Sequence, residues 1–507
     1  MNKNIFAGII YFLFFSIQLS AQELDPSFGN NGKSYVSFGF TSYYFEEMEF
    51  QSSNKIIAVG ENETLSNPIV VCRLKNNGSL DSTFQGTGIL TFGFGLTYEF
   101  CDALQIDNQD RILLGGSSNG DLVLARLLPD GDLDSTFSSD GKVKVSFGIG
   151  NGSKAHKILI QNDGKILAIG EAYGGANFNF AAARFLANGN VDSTFGVNGL
   201  ITHDLNGFND FGYDALLLSD GKILIGGSAN NSDGNSAFAW IRLQTDGTLD
   251  TEFAINGKLI YNINSNYNEV VEAMELHPNG KIISAGYSGG DFAVFCMNTD
   301  GVLDASFGSN GHVTSDFDDY QDKAYALKID AQGKIILAGH GYDGSVNTFL
   351  DFAIARYTEN GNLDNTFSSD GKLVMKMGTY SSGIADILIQ DDGKLLFGGQ
   401  SFETQSGFVE FGFLQLDVSA ITTTSSIEES NFLFYPNPAN DFLFIRNESS
   451  SENLDLIQFF SVTGHLIYEL KPKTETTQID LSTLKAGIYI VSIQTSKSTQ
   501  TVKFIKQ

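Results

Sequence analysis

The sequence predicts an all-β protein: a seven-bladed β-propeller with four strands per blade, followed by a small Ig-like β-sandwich. A short phrase, L/V-D-x-x-F, returns seven times. It reads LDPSFGNNGK from Leu24, LDSTFQGTG from Leu80, LDSTFSSDGKV from Leu133, VDSTFGVNG from Val191, LDTEFAING from Leu249, LDASFGSNG from Leu303 and LDNTFSSDGK from Leu363. Its aspartates, Asp25, Asp81, Asp134, Asp192, Asp250, Asp304 and Asp364, are 56, 53, 58, 58, 54 and 60 residues apart. Periods above about 40 residues with several short strands per unit belong to propeller blades rather than helical solenoids. Composition agrees: Phe 42 and Gly 55 against Pro 7 describe many strands separated by glycine turns.

Residues 1–21 read as a signal peptide. Lys3 supplies a short positive region, Ile5 to Ile17 an apolar core, and Leu19-Ser20-Ala21 a small residue before a cut at Ala21/Gln22. The apolar stretch is shorter than a spanning helix needs, so the mature chain is expected to be exported and not an integral membrane protein.

Residues 23–418 read as the propeller. Each unit opens with an apolar or alternating strand such as YDALLLS or KAYALKID. A hairpin turn and second strand follow, as in QNDGKILAIG and LSDGKILIGG. The third strand is FAxAR-like, and the G-K-x-x-x-x-F strand after L-D-x-x-F is the fourth. Asp-Gly and Asn-Gly pairs suit such turns because they accept positive φ. In FAIAR, Phe352, Ile354 and Arg356 share one face and Ala353 and Ala355 the other, which suits close packing between blades. If the repeat phase follows that of WD-repeat propellers, the strand at about 32–38 completes the last blade and clasps the ring.

Constant spacing points to structural roles. The third-strand arginine precedes the next motif aspartate by eight residues in Arg73–Asp81, Arg126–Asp134, Arg184–Asp192, Arg242–Asp250 and Arg356–Asp364. Cys296 and Gln415 hold the arginine position in the other two units. A ring of seven aspartates could be a cation belt. A site needed once is rarely built seven times, so each Asp is expected to bond its own turn and pair with Arg.

Length varies in one loop per unit, between the second and third strands. From the D-G-K basic residue to the arginine position the separations are 18, 15, 19, 20, 15, 22 and 21. Insertions of this kind gather on one face, often the binding face. The loops are expected on the face that also carries the turn between the first two strands. Their candidate ligand-facing residues are Tyr173, Phe178, Tyr287, Tyr342, Asp343, Phe349 and Phe402. Asn, Asp, Gly and aromatics together suit stacking on sugars and bonding to hydroxyls.

Charge excludes some partners. A formal net charge of −28 leaves little basic surface for nucleic acid or anionic membranes. The six histidines show no zinc spacing, and no G-x-S-x-G elbow occurs, so no metal ligand set and no catalytic residue is assigned. TSDFDDYQDKAY brings Asp316, Asp318, Asp319 and Asp322 close enough for Ca²⁺, without the glycine and terminal glutamate of an EF-hand loop. A polysaccharide hydrolase or lyase would have to draw on groups such as Asp316, Asp318, Tyr320, Asp343 and Asp351. Cys72, Cys101 and Cys296 are too scattered for a disulfide framework.

Residues 419–431 form a Ser/Thr-rich linker, SAITTTSSIEES at its core. Residues 432–507 carry short alternating strands expected to form the sandwich. YPNPANDFL, SVTGHLIYE, IDLSTLKAGIYIVSI and the terminal VKFIKQ resemble, from Phe434 onward, the type A sorting domain of the type IX secretion system of Bacteroidetes. The resemblance assigns the sorting signal to Tyr435, Pro436, Asn437, Pro438, Asp441, Gly464, Gly487, Tyr489, Lys503 and Lys506. His465 departs from the family's usual lysine, arginine or glutamine. It implies passage through the periplasm, a translocon and a sortase as partners, and release or attachment at the outer cell surface. The seven units resemble the delta-60 repeat, a propeller-like family of undefined activity. The reading that follows is a binding or adhesion protein for a polysaccharide, glycoprotein or surface protein. A secreted polysaccharide-degrading enzyme and a passive structural component are the alternatives.

Overall fold

The computed structural model describes residues 23–418, except 40–41, 63–68, 96–97, 149–151, 318–320, 343–349, 379 and 403–407. In the C-terminal segment it describes 432–435, 442–447, 454–461, 466–472, 476–482, 484, 487–495 and 499–506. The segments read as signal peptide (1–21) and linker (419–431), with Asp318, Asp319, Tyr320, Asp343, Phe349, Pro436, Asn437, Pro438, Asp441 and Gly464, lie outside the described residues. Contacts divide the chain into 1–422 and 423–507.

Seven antiparallel sheets make the first unit. Blade 1 spans 44–92, blade 2 99–145, blade 3 153–203, blade 4 210–261, blade 5 269–315 and blade 6 323–375. Blade 7 takes its first three strands from Ser382–Ile389, Leu395–Phe402 and Val409–Asp417. Its fourth comes from the other end of the chain: Lys33–Val36 pairs with Leu414, Phe413, Gly412 and Phe411. Glu23–Leu24 adds two further pairs on the same strand. Closure removes the open edge that such a sheet would otherwise present.

The first strands touch one another in an unbroken circle, from Tyr44–Phe50 through Glu99–Ile106, Ser153–Ile160, Asp210–Leu217, Glu269–Leu276, Lys323–Ile329 and Ser382–Ile389 back to the start. They therefore line the axis. The apolar core lies between blades. One cluster joins Ala103, Leu113 and Leu124 of blade 2 to Ala155, Ile158, Ala183 and Phe185 of blade 3. Another joins Phe45 and Met48 of blade 1 to Phe411 and Phe413 of blade 7.

The repeated phrase fastens neighbouring blades. In blade 2, Asp134 accepts from Thr136 N–H at 3.0 Å and Thr136 Oγ1 at 2.6 Å, closing its own turn. Arg126 Nε donates to Asp134 Oδ2 at 2.7 Å, and another guanidinium nitrogen crosses to the Ala187 carbonyl of blade 3 at 2.5 Å. The guanidinium lies 4.6 Å above the Phe137 ring, which is fully buried. Each such phenylalanine contributes about 2–3 kcal/mol by burial. Where Cys296 replaces the arginine, its thiol reaches Asp304 Oδ2 at 4.0 Å, and bonds from Lys281 and Ser306 hold that carboxyl at about 2 against its usual 3.8.

The second unit has two sheets. One contains Phe432–Tyr435, Phe442–Asn447 and Thr476–Asp480; the other contains Leu466–Leu470, Leu454–Ser461, Gly487–Thr495 and Thr499–Lys506. Leu443, Ile445 and Ile479 of the first pack with Ile457, Phe459, Val491 and Ile493 of the second, forming a sandwich core. Tyr435 lies in an edge strand; Gly487 and Lys506 pair with each other, as do Ile490 and Lys503, while Tyr489 is half-buried. All three cysteines are buried and unpaired. Among the described residues no helix is long and apolar enough to cross a membrane.

Candidate binding site at the axial channel and the variable-loop face

A single backbone irregularity, repeated seven times, builds the channel wall. Every first strand carries a register shift against the second, at Glu46, Asp102, His156, Tyr213, Glu272, Tyr325 and Ala385. A bulge inserts an unpaired residue and re-aims its side chain. Opposite it stands a glycine of the second strand: Gly60, Gly116, Gly170, Gly227, Gly286, Gly339 or Gly399. At Gly170 an added Cβ would lie 2.0 Å from the Lys154 carbonyl, and at Gly227 1.9 Å from that of Phe211. Only glycine permits that approach.

The bulged residues and their neighbours meet across the axis. On the variable-loop side, Lys154 Nζ lies 2.6 Å from Asp102, and His156 Nε2 lies 2.7 Å from Glu171. Deeper, Lys157 Nζ lies 2.9 Å from Glu47 of blade 1 and 3.7 Å from Asp214 of blade 4. Carboxylates also hold the wall together through the backbone. Glu47 accepts from Leu104 N–H at 2.6 Å, Asp386 from Met48 N–H at 2.9 Å and Glu275 from Ile329 N–H at 2.9 Å. Glu171 and Asp214 are buried and the other side chains of this set are half-buried, so the channel wall is deep yet partly exposed.

Depth shapes their ionisation. Burial raises Glu49 to about 8, Glu272 and Glu275 to about 7, and Asp386 to about 6. Burial lowers His156, but the Glu171 and Asp102 carboxylates together outweigh it, and the net shift is upward. Raised carboxyls bind protons more tightly in the native state, and their stabilisation is lost as pH rises through their folded values. A raised histidine acts in the same direction. Thermal unfolding at fixed ionic strength is thus expected to show a higher Tm near pH 5.5 than near pH 8.5. Glu272→Gln should flatten that slope, and a Tm that rises with pH over this window would contradict the assignment.

Antiparallel alternation corrects one expectation. The turn between first and second strands and the loop between second and third lie at opposite ends of the second strand. The variable loops therefore share their face with the entries to the first strands, at the Lys154 and His156 end of the channel. A cavity of about 370 Å³ opens there between blades 2 and 3, lined by Tyr98, Phe100, Phe178, Asn119, Lys154 and Glu171 among others. Tyr98 is 69% exposed, with φ at +58°, a left-handed conformation uncommon for a bulky residue. Aromatic rings run inward from it: Tyr173 edge-on to Phe178 at 5.6 Å, Phe178 stacked on Phe211 at 5.8 Å, Phe211 on Tyr213 at 6.3 Å.

The sequence candidates divide accordingly. Tyr173 and Phe178 belong to this aromatic run. Tyr287 lies under Lys323, 4.5 Å from ring centre to Nζ, on the blade 5 side of the channel. Phe402 is half-buried at the end of its strand. Tyr342 corrects the loop-face reading, being only 6% exposed. Asp351 is likewise buried, 3% exposed. Asp316 comes together with Asp322 and with Asp291, a residue sequence reasoning passed over, their oxygens within 4.8 Å of one another; these three could hold a cation. Asp322 is raised to about 7 by burial and by the charges of Asp316 and Asp291.

Sequence reading missed the channel residues because it weighed the first strands as apolar. A signal was present. Each bulged residue precedes the basic residue of its hairpin turn by nine, as in His156 to Lys165, and the obligatory glycine follows that residue by five, as in Lys165 to Gly170.

Residues 433–507 match the family described as Secretion system C-terminal sorting domain. Segments 51–84, 110–137, 161–195, 218–253, 277–307 and 332–367 match the Domain of unknown function (DUF5122) beta-propeller. The seventh unit, divided between the chain's two ends by the clasp, has no matched segment. No curated protein matches. Among solved structures, PorZ, a surface component of the type-IX secretion system of Porphyromonas gingivalis, is similar at 14% identity and TM-score 0.39. That alignment covers 92% of this chain and 59% of PorZ. A catalytically inactive virginiamycin B lyase from Staphylococcus aureus is similar at 10% identity and TM-score 0.47, over 76% of this chain and 99% of the lyase.

Proposed function

For a chain that carries a type IX sorting domain, and so is exported to the cell surface or secreted, we propose that the propeller binds a neutral glycan at the variable-loop mouth of its channel. The observation that carries this is the aromatic run from Phe178 to Tyr213, which ends among the polar groups Lys154, His156 and Glu171. A pyranose ring presents an apolar C–H face to such rings and hydroxyls to the charged groups beside them. The cavity volume falls in the range of small-ligand sites. The acidic balance of the chain favours neutral over anionic sugars.

A second reading, cleavage of the same ligand, draws on Glu272 and His156. Glu272, which burial raises to about 7, can serve as a general acid near neutral pH, and the charge of His156 is felt there. One experiment separates the two. Neutral oligosaccharides on an array, with the same wells assayed for reducing ends and unsaturated products, should show retention without products. Phe178→Ala should weaken binding at least tenfold while the far-UV spectrum is unchanged. Released products would transfer the site to the enzyme reading, and unchanged affinity in Phe178→Ala would remove it from this mouth.

A further inference from the structure

The repeat fastening described above lacks its arginine at two places, Cys296 and Gln415, and beside Gln415 a cavity stands against the retained partners. In blades 1 to 4 the third-strand guanidinium meets a fixed set of partners. Arg73 contacts Asp81 Oδ2 at 2.8 Å, Thr83 Oγ1 at 2.8 Å and the Pro129 carbonyl at 2.5 Å. Arg184 contacts Asp192, Thr194 and the Thr245 carbonyl at 2.8, 3.2 and 2.6 Å. The accepting carbonyl always stands two residues before a positive-φ turn glycine of the next blade: Pro129 before Gly131, Ala187 before Gly189, Thr245 before Gly247, Thr299 before Gly301.

At the seam from blade 7 to blade 1, Gln415 occupies the arginine position and its amide turns to Gln390 Oε1 at 2.6 Å. The remaining partners are in place. Asp25 is the motif aspartate, Ser27 Oγ donates to it at 2.7 Å as Thr83 Oγ1 does to Asp81, and Asn76 stands two residues before Gly78, φ +80°. Lys394 reaches Asp25 Oδ2 at 2.8 Å; Asp81 likewise accepts Lys55 at 2.9 Å while still holding Arg73. A cavity of about 300 Å³ occupies the vacated space, lined by Asp25, Ser27, Asn76, Lys394 and Gln415 among others. It opens on the hairpin-turn face, away from the glycan mouth.

We propose that this seam is a guanidinium-binding site, taking an arginine side chain of a partner protein or free arginine. The donors of a guanidinium would go to Asp25 Oδ2, Ser27 Oγ and the Asn76 carbonyl, reproducing inside the seam the bonds the chain makes for itself elsewhere. A planar fork matches this set, and an ammonium or a neutral urea does not.

Calorimetric titration of the full chain tests it, with N-acetyl-arginine amide, free arginine and N-acetyl-citrulline amide as probes. Arginine amide should bind, with citrulline amide at least tenfold weaker. Free arginine binding as well as the amide would identify an amino-acid ligand; preference for the amide would identify a peptide, and either supports the site. Gln415→Arg fills the slot from within and should abolish binding while raising Tm. Asp25→Asn should weaken binding at least tenfold; if it fails to fold, Gln415→Arg carries the test alone. Absence of arginine binding, equal citrulline binding, or binding undiminished in Gln415→Arg would overturn the proposal.

Discussion

Removal of residues 23–36 is expected to open the ring and lower stability by more than about 5 kcal/mol, enough to unfold a typical domain. Four ladder pairs between Lys33–Val36 and blade 7 disappear with this segment. So does Phe28, which is fully buried and packs against Gly78 of blade 1. Truncating one such ring costs about 3–5 kcal/mol by itself. The pair between Asp25 and Lys394 is lost as well. What remains is a blade with an unpaired edge beside an exposed apolar wall, a combination that favours aggregation. Urea unfolding and size-exclusion chromatography check this. Phe28→Ala, which keeps the strand, should show roughly half the loss. A truncated chain that stays monomeric with a Tm within a few degrees of the parent would show that the clasp is dispensable.

The second large effect lies on the axis. Lys157→Met is expected to cost about 3 kcal/mol, because it leaves Glu47 and Asp214 facing each other without their cation. Lys157 is 27% exposed, so water relieves part of the penalty and the value falls at the lower end for a broken buried pair. Asp386 of blade 7 adds to the same field. Adding Glu47→Gln to Lys157→Met should recover about half of the loss, since one of the opposed charges is then gone. The single variant should approach the parent at acidic pH, where Asp214, raised by burial, protonates. Unfolding curves that coincide at all pH values would mean that the three blades are not coupled through this lysine.

Local chemistry made much of this legible before any coordinates. Asp134, Arg126 and Phe137 sit at fixed separations because a turn, an ion pair and a ring must meet in one register, and such geometry tolerates no insertion. The glycine of ILAIG was visible as a repeat residue. Its reason was not, since it depends on a carbonyl 2.0 Å from where a Cβ would stand, in the neighbouring strand. The loop face was misassigned for a related cause: which ends of the strands coincide follows from alternation, and the loop lengths that marked the variable segments are indifferent to it.

The sequence by itself determined the number of blades, the phrase that fastens them, the sorting domain and the route of export. These rest on short-range periodicity and on contacts within one repeat or with the next. Only the tertiary structure decided which residues face the channel, because His156, Glu47, Asp214 and Glu272 become neighbours solely when seven first strands close into a circle. It also decided what surrounds Gln415, which the repeat spacing had already placed, like Cys296, at an arginine position. Asp25 and Gln415 are nearly four hundred residues apart along the chain, and no local pattern tells that the ring brings them together with an arginine's place left between them.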